Sequence, residues 1–511
     1  MLMGLGLFDV VLFLLFFAVV IGVSMYKSRH ETSGEDFFLA GRSLLWPMIG
    51  ISLIAANIST EQIVGQAGQG AGTVGLAVAS YEWMAAVTLV IVAFTFLPRF
   101  LRSGIYTIPE FLEYRYNAGA RLIMAVYMII IYVGVTLAAV IYGGALTLNT
   151  LFGMDLTLAA WGIGIIAALY TAWGGLKAVA WADLFQGTAI IVGGIITMVI
   201  GFQAVGGWES FATHNADRLH MILPADDPVL PWTALVVGLW IPNLYYWGLN
   251  QYITQRTLAA KSLHQGQMGI LFAAFMKLIL PFVIIFPGII AYQLYADQME
   301  NPDAAYPLLI KNLIPEGLRG FIFASLAGAV ISTLASMLNS ASTIFTMDLY
   351  KRFKPEASQK DLVKSGRWAT IFFVIIGCIV APLLGDPRFK GLFNFIQEFQ
   401  GYISPGILAA FLFGIWVKRG PGEAGVAALV LSPILYGLMQ YARPDIAFLN
   451  RMAFTFIIIL IAMRIITAMN PLKEPRELPR RGDMDMTQSV TAKWLGLAVV
   501  VITVILYRIF W

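Results

Sequence analysis

Between Ser52 and Met84 the chain reads SLIAANISTEQIVGQAGQGAGTVGLAVASYEWM, an apolar run that acquires Asn57, Ser59, Thr60, Glu61 and Gln62, dissolves into glycines and turns apolar again around Glu82. Such groups are costly in hydrocarbon. An ionisable side chain in the bilayer interior costs about 2.5–3.5 kcal/mol on insertion scales, so it faces protein or a water-filled path. Backbone that leaves helix geometry at that depth needs partners for its carbonyls and amides, and an ion or a solute can supply them. The chemistry on offer is therefore binding. Lys277, in MGILFAAFMKLILPFVIIF, points the same way. About ten apolar or small residues flank it on each side, about 15 Å of helix, too far for its ammonium to snorkel to the interface. Its expected partners are Glu82 and a solute, or Glu82 alone in an ion pair that only joins helices.

Further polar groups recur in apolar segments. In ASLAGAVISTLASMLNSASTIFTMDLY the spacing puts Ala329, Ser332, Thr333 and Ser336 on one helical face. Small-residue stripes commonly pack membrane helices closely. Beside an interrupted helix, the same hydroxyls and freed carbonyls make an oxygen cage for a hard cation such as sodium. Asp183, in AWADLFQG, is either a proton or ion ligand or an N-terminal helix cap. Gln397 and Glu398, in FNFIQEFQGYISPG, are site residues or interfacial ones. Catalysis finds little support. His30, His214, His220 and His264 fall in connections without metal-ligand spacing, and the chain has neither a G-x-S-x-G elbow nor a Gly-Lys pair for a P-loop. Neither an enzyme, a primary pump nor a cofactor is expected.

The elements that must position these groups are membrane spans. Of 511 residues 59% are apolar and 12% charged, about half the charged share of a soluble domain, with a mean hydropathy of +0.78. The net charge of +4 does not suggest nucleic acid, and the single cysteine, Cys378, excludes an internal disulfide. Apolar runs of spanning length predict fourteen helices near 8–26, 45–66, 75–101, 121–152, 156–173, 181–205, 228–250, 267–296, 318–347, 365–385, 397–417, 422–441, 448–469 and 491–511. Basic residues divide about three to one between the two sets of alternating connections, with Lys27, Arg42, Arg99, Arg102, Arg115, Arg121, Arg256, Lys418 and Arg419 among the majority. Basic residues favour the cytoplasm, so both termini are expected outside. The first run lacks a basic leader, carries Asp9 and is followed by Lys27 and Arg29, which describes a retained span rather than a secretory signal. Each of two long acidic outer loops has room for a short helix. The inner loop NPLKEPRELPRRGDMDMTQSV reads as a mobile connector.

Five spans after the first interrupted segment comes VVGLWIPNLYYWGLNQYITQRTLAAKS, where Pro242 removes a helix hydrogen bond just before Asn243. A pair of interruptions at corresponding positions marks the binding site of an inverted-repeat transporter; a packed kink at Pro242 is the alternative. The division expected is an extra span over 1–44, five-helix repeats over 45–206 and 207–420, and three extra spans over 421–511.

The motifs AANISTEQIVGQAGQG, ASYEW, GIYTIPEFLEYRYN, YTAWGGLKAVAWADLFQG, NLYYWGLNQYITQRTLAAKS, ISTLASMLNSASTIFTMDLYK and FIQEFQGYISPG together resemble the sodium/solute symporter family, in its sodium/glucose branch and with its sodium/galactose members most of all. The resemblance runs from the first span to the last. It implies an all-α polytopic membrane protein with the leucine-transporter-type five-plus-five inverted-repeat core, importing a hexose with sodium as coupling ion by alternating access. Sugar-binding positions carry over to Gln62, Glu82, Asn243, Lys277 and Gln397, the inner aromatic gate to Tyr246, and the outer gate to Tyr81, Phe393 and Gln66. Sodium maps to backbone oxygens of Ala55, Ile58 and Ala329 and the hydroxyls of Ser332 and Thr333, with Asp183 and Ser336 available along an ion path. The chain departs from the sodium/galactose pattern at Gln66, where that branch has methionine, at Ala85 for serine, and at Thr136 for asparagine. Ala335 lacks the oxygen that a second sodium site uses, so one sodium per sugar is expected. Another solute of the family (inositol, another polyol or proline) and a non-transporting sensor are the rival readings. The location implied is a bacterial inner membrane, in contact with lipid.

Overall fold

The computed structural model describes residues 7–28, 33–59, 61–299, 301–385, 392–482 and 484–511. Thr60, His30, Arg29, Arg388 and Lys390 lie outside the described residues. Among the described residues, ten long apolar helices are joined by two bent pairs and two shorter apolar helices, one for each of the fourteen runs. In chain order they are α1 (Leu7–Ser28), the broken α2 (Trp46–Asn57 and Gln62–Ala71), α3 (Gly75–Phe94), α4 (Ala118–Asn149), α5 (Leu156–Leu169), α6 (Gly175–Ala204) and α7 (Ala234–Leu249). They continue as α8 (Leu263–Tyr295), α9 (Leu318–Ile344), α10 (Gln359–Val380), the broken α11 (Phe395–Gly401 and Ser404–Trp416), α12 (Gly422–Ala442), α13 (Phe448–Met469) and α14 (Val490–Ile509).

Helix starts are set by short polar side chains that satisfy otherwise orphaned amides. Asn117 caps α4, Asp155 α5, Ser262 α8 and Ser489 α14, while Ser358 and Asp361 form a capping box on α10. Between α5 and α6 the chain bends at Gly175, where φ is +56°. The two long outer loops each carry a short helix, Gly207–His214 and Ala305–Leu313.

The core is nested. The apolar window at α9 is 89% buried, against 11% for α1 and 22% for α14, so α9 and its polar face lie inside protein, while α1 and α14 turn apolar side chains outward. Asp9 accepts hydrogen bonds from Gly317 N (3.1 Å) and Gly320 N (2.8 Å), and Met221 N donates to Phe510 O at 2.8 Å. Both described ends therefore sit on one face, that of the two loops carrying Gly207–His214 and Ala305–Leu313.

Four expectations are corrected. The second interruption is at Asn250 (φ −82°, ψ 118°), not at Pro242. Pro242 lies in the first turn of the helix Trp240–Leu249, just after a π-helical turn over Ala234–Gly238, where a missing amide costs little. A further bend, 47°, is in α11. The described residues of the loop 470–489 are pinned to neighbouring connections rather than loose: Leu472 N donates to Arg419 O, Arg476 N to Lys418 O and Arg481 N to Arg102 O, while Asp485 O accepts from Leu263 N. Finally, Arg256, expected in an inner connection, is fully buried in the helix Gln251–Leu258, and His264 is the second residue of α8 rather than part of a connection.

Candidate functional site

The first half of α2 stops at Asn57 because Ile58 turns extended (φ −74°, ψ 104°), and the second half leaves at 61° through a π-helical turn over Glu61–Gln66. Gln62 Oε1 accepts from Ser59 N at 3.0 Å, closing part of the gap. Beside this break lies a cavity of about 30 Å³ lined by Asn57, Gln62, Gln66, Tyr81, Glu82, Asn243, Tyr246, Trp247, Phe393, Gln397 and Gln400, among others. Every sugar-site residue read from the sequence except Lys277 lines it.

Lys277 reaches that cavity through its partners. Its ammonium donates to both Glu82 Oε2 and Asn57 Oδ1, and it sits 4.8 Å from the centre of the Trp247 ring. The other carboxylate oxygen, Glu82 Oε1, accepts from Gln66 Nε2 at 2.8 Å. Pair and amide are buried. The positive and negative charges are matched within the site, as burial demands. Trp83 steadies α8 here, donating its indole N–H to Leu278 O at 3.2 Å.

Aromatic rings close the cavity at both ends. Tyr81 and Phe393 meet edge to face, with centroids 4.8 Å apart. Gly65 permits this contact, because a Cβ there would lie 2.9 Å from Phe393 Cβ. On the other side, Tyr246 packs edge-on against Trp247 (5.1 Å) and Tyr252 (5.7 Å). The Tyr246 hydroxyl accepts from Asn57 Nδ2 at 2.9 Å and from the Tyr252 hydroxyl at 2.5 Å. The break at Asn250 is held by the Tyr132 hydroxyl, which donates to Asn250 Oδ1. Gln66 is thus both in the cavity and tied to Glu82, and Thr136 turns its hydroxyl back to Ile131 O and Tyr132 O of its own helix.

The residues read as sodium ligands are gathered where α2, α6 and α9 meet. Ala55, Ile58, Ala329, Ser332 and Thr333 are all buried. Thr333 Oγ1 donates to Ala56 O at 3.2 Å, joining α9 to the last turn before the break. Ala55 faces α6 so closely that a Cβ on Gly187 would lie 2.9 Å from its own. Ser332 donates to Asp183 Oδ1 at 2.5 Å. Asp183 lies inside α6 and caps nothing. Its other oxygen meets Arg256 Nη2 at 3.2 Å and accepts from Ser52, and Arg256 also donates to Ser52, Ser336 and Tyr252 O. Ser336 in turn donates to Ser332 O at 2.8 Å. This cluster ties α2, α6, α9 and the helix after Asn250 together. Glu398 is half-exposed and pairs with Arg451 at 3.2 Å, away from the cavity.

Three lining residues escaped the sequence reading. Asn57 was visible as a polar residue at depth, but its grip on Lys277 and Tyr246 depends on the helix ending there. Gln400 follows Gln397 by three residues, the spacing that shares a helical face. Trp247 carried no signal beyond its neighbour Tyr246.

Comparison with known proteins agrees with this architecture. The profile of the sodium:solute symporter family matches residues 37–431. A sodium/glucose cotransporter of Vibrio parahaemolyticus is 39% identical, with 99% of each chain covered. A human sodium/myo-inositol cotransporter 2 is 34% identical over 84% of this chain and 69% of its own. Among solved structures, a substrate-bound, outward-open sodium-coupled sialic acid symporter superposes with a TM-score of 0.81 at 21% identity, over 94% of this chain and 100% of that one, and so shares the fold. The chain belongs to the sodium:solute symporter family, a multi-pass, sodium-coupled solute symporter with the leucine-transporter-type five-plus-five core.

Proposed function

We propose that the protein imports a hexose, galactose or glucose, with one sodium ion per sugar, by alternating access. The observation that carries this reading is the pocket's balance of groups. Glu82 and Lys277 cancel one another, and amides of Gln62, Gln66, Asn243, Gln397 and Gln400 line the remaining surface. Sugar hydroxyls both donate and accept, so amides can pair each of them, and a neutral site suits a neutral solute. Gln62, Glu82, Asn243, Lys277 and Gln397 hold the sugar in this proposal. Tyr246 gates the inner side; Tyr81, Phe393 and Gln66 gate the outer side. The 39% identity to a sodium/glucose cotransporter supports the choice.

Sodium is assigned to backbone oxygens of Ala55, Ile58 and Ala329 with the hydroxyls of Ser332 and Thr333, and Asp183 and Ser336 flank its route inward. Binding there links α2 to α9 and favours the outward-open arrangement that completes the sugar pocket; by reciprocity, sugar tightens sodium. The setting proposed is a bacterial inner membrane with both termini outside, and a division into 1–44, 45–206, 207–420 and 421–511. Sugar uptake into proteoliposomes under a sodium gradient tests the proposal. Uptake that continued undiminished when potassium replaced sodium would refute it. The same pocket chemistry, with the 34% identity to a sodium/myo-inositol cotransporter, favours a cyclic polyol as the second reading, and competition between unlabelled hexoses and inositol separates the two.

A further inference from the structure

Both oxygens of Glu82 are already engaged, Oε1 by Gln66 Nε2 at 2.8 Å and Oε2 by the Lys277 ammonium. The orientation of Gln66 is fixed by this contact, since the reversed amide would set oxygen against carboxylate oxygen. Gln66 Oε1 therefore faces away from Glu82, and it is buried with no hydrogen-bond partner. Two more atoms of the cavity lining share that condition, Gln400 Oε1 and Asn243 Nδ2. Buried polar atoms without partners are costly and uncommon, and here three of them border one cavity. An amide that donates to a carboxylate is polarised, which makes its own oxygen the stronger acceptor.

Building on the functional reading above, we propose that two of the solute's hydroxyls are read by Gln66 Oε1 and Gln400 Oε1, with Asn243 Nδ2 donating to a third oxygen, and that Glu82, besides its own place in the sugar site, positions Gln66. The site then takes a neutral polyol that donates two hydrogen bonds and accepts one. A solute that offers only acceptors at those two positions is rejected. Gln66, where the resembling sodium/galactose branch has methionine, becomes a specificity residue and not only a gate.

The test uses the full-length protein in proteoliposomes under an inward sodium gradient. Glucose, galactose and myo-inositol are the parent solutes, and the monodeoxy and monodeoxyfluoro analogues of whichever is taken up are the competitors. Fluorine can accept a hydrogen bond but cannot donate one. In the unaltered protein, two positions are expected to lose about tenfold in apparent affinity on deoxygenation, as one buried hydrogen bond implies, and to lose as much on fluorination. Gln66→Met is expected to weaken the parent and erase the penalty at one of those positions; Gln400→Leu is expected to erase it at the other. Fluoro analogues that matched the parent at every position would overturn the proposal on the unaltered protein alone, whether or not a variant folds. Penalties that persisted in both folded variants would overturn it too. Lack of sodium-driven uptake of all three parents would overturn the functional reading and this proposal with it, whereas uptake with an unshifted analogue profile would overturn this proposal only.

Discussion

Replacing Lys277 by methionine keeps most of the side-chain volume and removes the ammonium that answers Glu82. The pair is buried on both sides, with side-chain exposures of 1% for Lys277 and 4% for Glu82. Removing one partner of such a pair costs about 3–5 kcal/mol, because the surviving charge has lost its compensation. Gln66 also donates to Glu82, and a neutral amide offsets only part of that loss. Unfolding entropy of about 2.1 cal/mol/K per residue gives about 1 kcal/mol/K for a chain of this length, so the melting temperature should fall by at least about 3–5 °C. That figure is a floor, since helices that persist in detergent release less entropy. The assay is thermal unfolding of purified Lys277→Met, Glu82→Gln and the double variant at one scan rate, alongside sodium-driven uptake. The double variant should recover at least about 2 kcal/mol relative to the sum of the singles, while all three should lose uptake. A Lys277→Met protein that melted and transported like the wild type would refute the pairing and the role assigned to it.

Thr333→Ala should raise the sodium concentration for half-maximal uptake several-fold while the protein stays folded; an unaltered sodium curve would remove that hydroxyl from the ion site. Asp183→Asn and Arg256→Met should each lower folded yield and melting temperature, with a loss of about 3–5 kcal/mol in stability where a single charge is stranded, and the double variant should be milder. Cysteines at 102 and 481 should form a disulfide on oxidation, read by thiol labelling, because Arg481 N lies 2.6 Å from Arg102 O; persistent free thiols would mean that the 470–489 segment leaves the inner face. Gly288→Ala should destabilise by at least about 1–3 kcal/mol, because its Cβ would lie 2.1 Å from the Ala67 carbonyl, whereas Gly134→Ala, with nothing within 4 Å, should be tolerated. Equal melting temperatures for the two would contradict the packing of α8 on α2.

The spans were legible because hydrocarbon imposes a length and forbids unpaired backbone, so each of the fourteen apolar runs meets an apolar helix or a bent pair among the described residues, ten of them long single helices. The pocket's charges were legible for a related reason: a lysine and a glutamate at depth need one another, and Lys277 and Glu82 do meet. The second interruption was not. Proline is a conspicuous marker, yet Pro242 falls in a first turn where its missing amide does little harm, while the break comes at Asn250, secured by a tyrosine from α4 that is remote in sequence. Arg256 misled for a similar reason. Its neighbours in the chain belong to a connection, but its guanidinium finds Asp183, Ser52 and Ser336 on three other helices. The connector 470–489 is rich in proline and charge, the composition of a loose tether, and its backbone pairing with Arg102, Lys418 and Arg419, together with bonds from Arg476 to Tyr116 O and from Ser489 N to Gln267, ties it down. Local composition reports solvent preference; it cannot report a partner several spans away.

Asn57 stands last in the helical half that includes Ala55 and abuts Ile58, and its one carboxamide grips the lysine head group with its oxygen and the Tyr246 hydroxyl with its nitrogen. A displacement of that final turn is thus felt at once by the charged pair and by the Tyr246 ring. One amide therefore joins three elements, the broken α2, the helix that carries Lys277 and the helix that carries Tyr246. Movement at the break cannot leave either neighbour undisturbed.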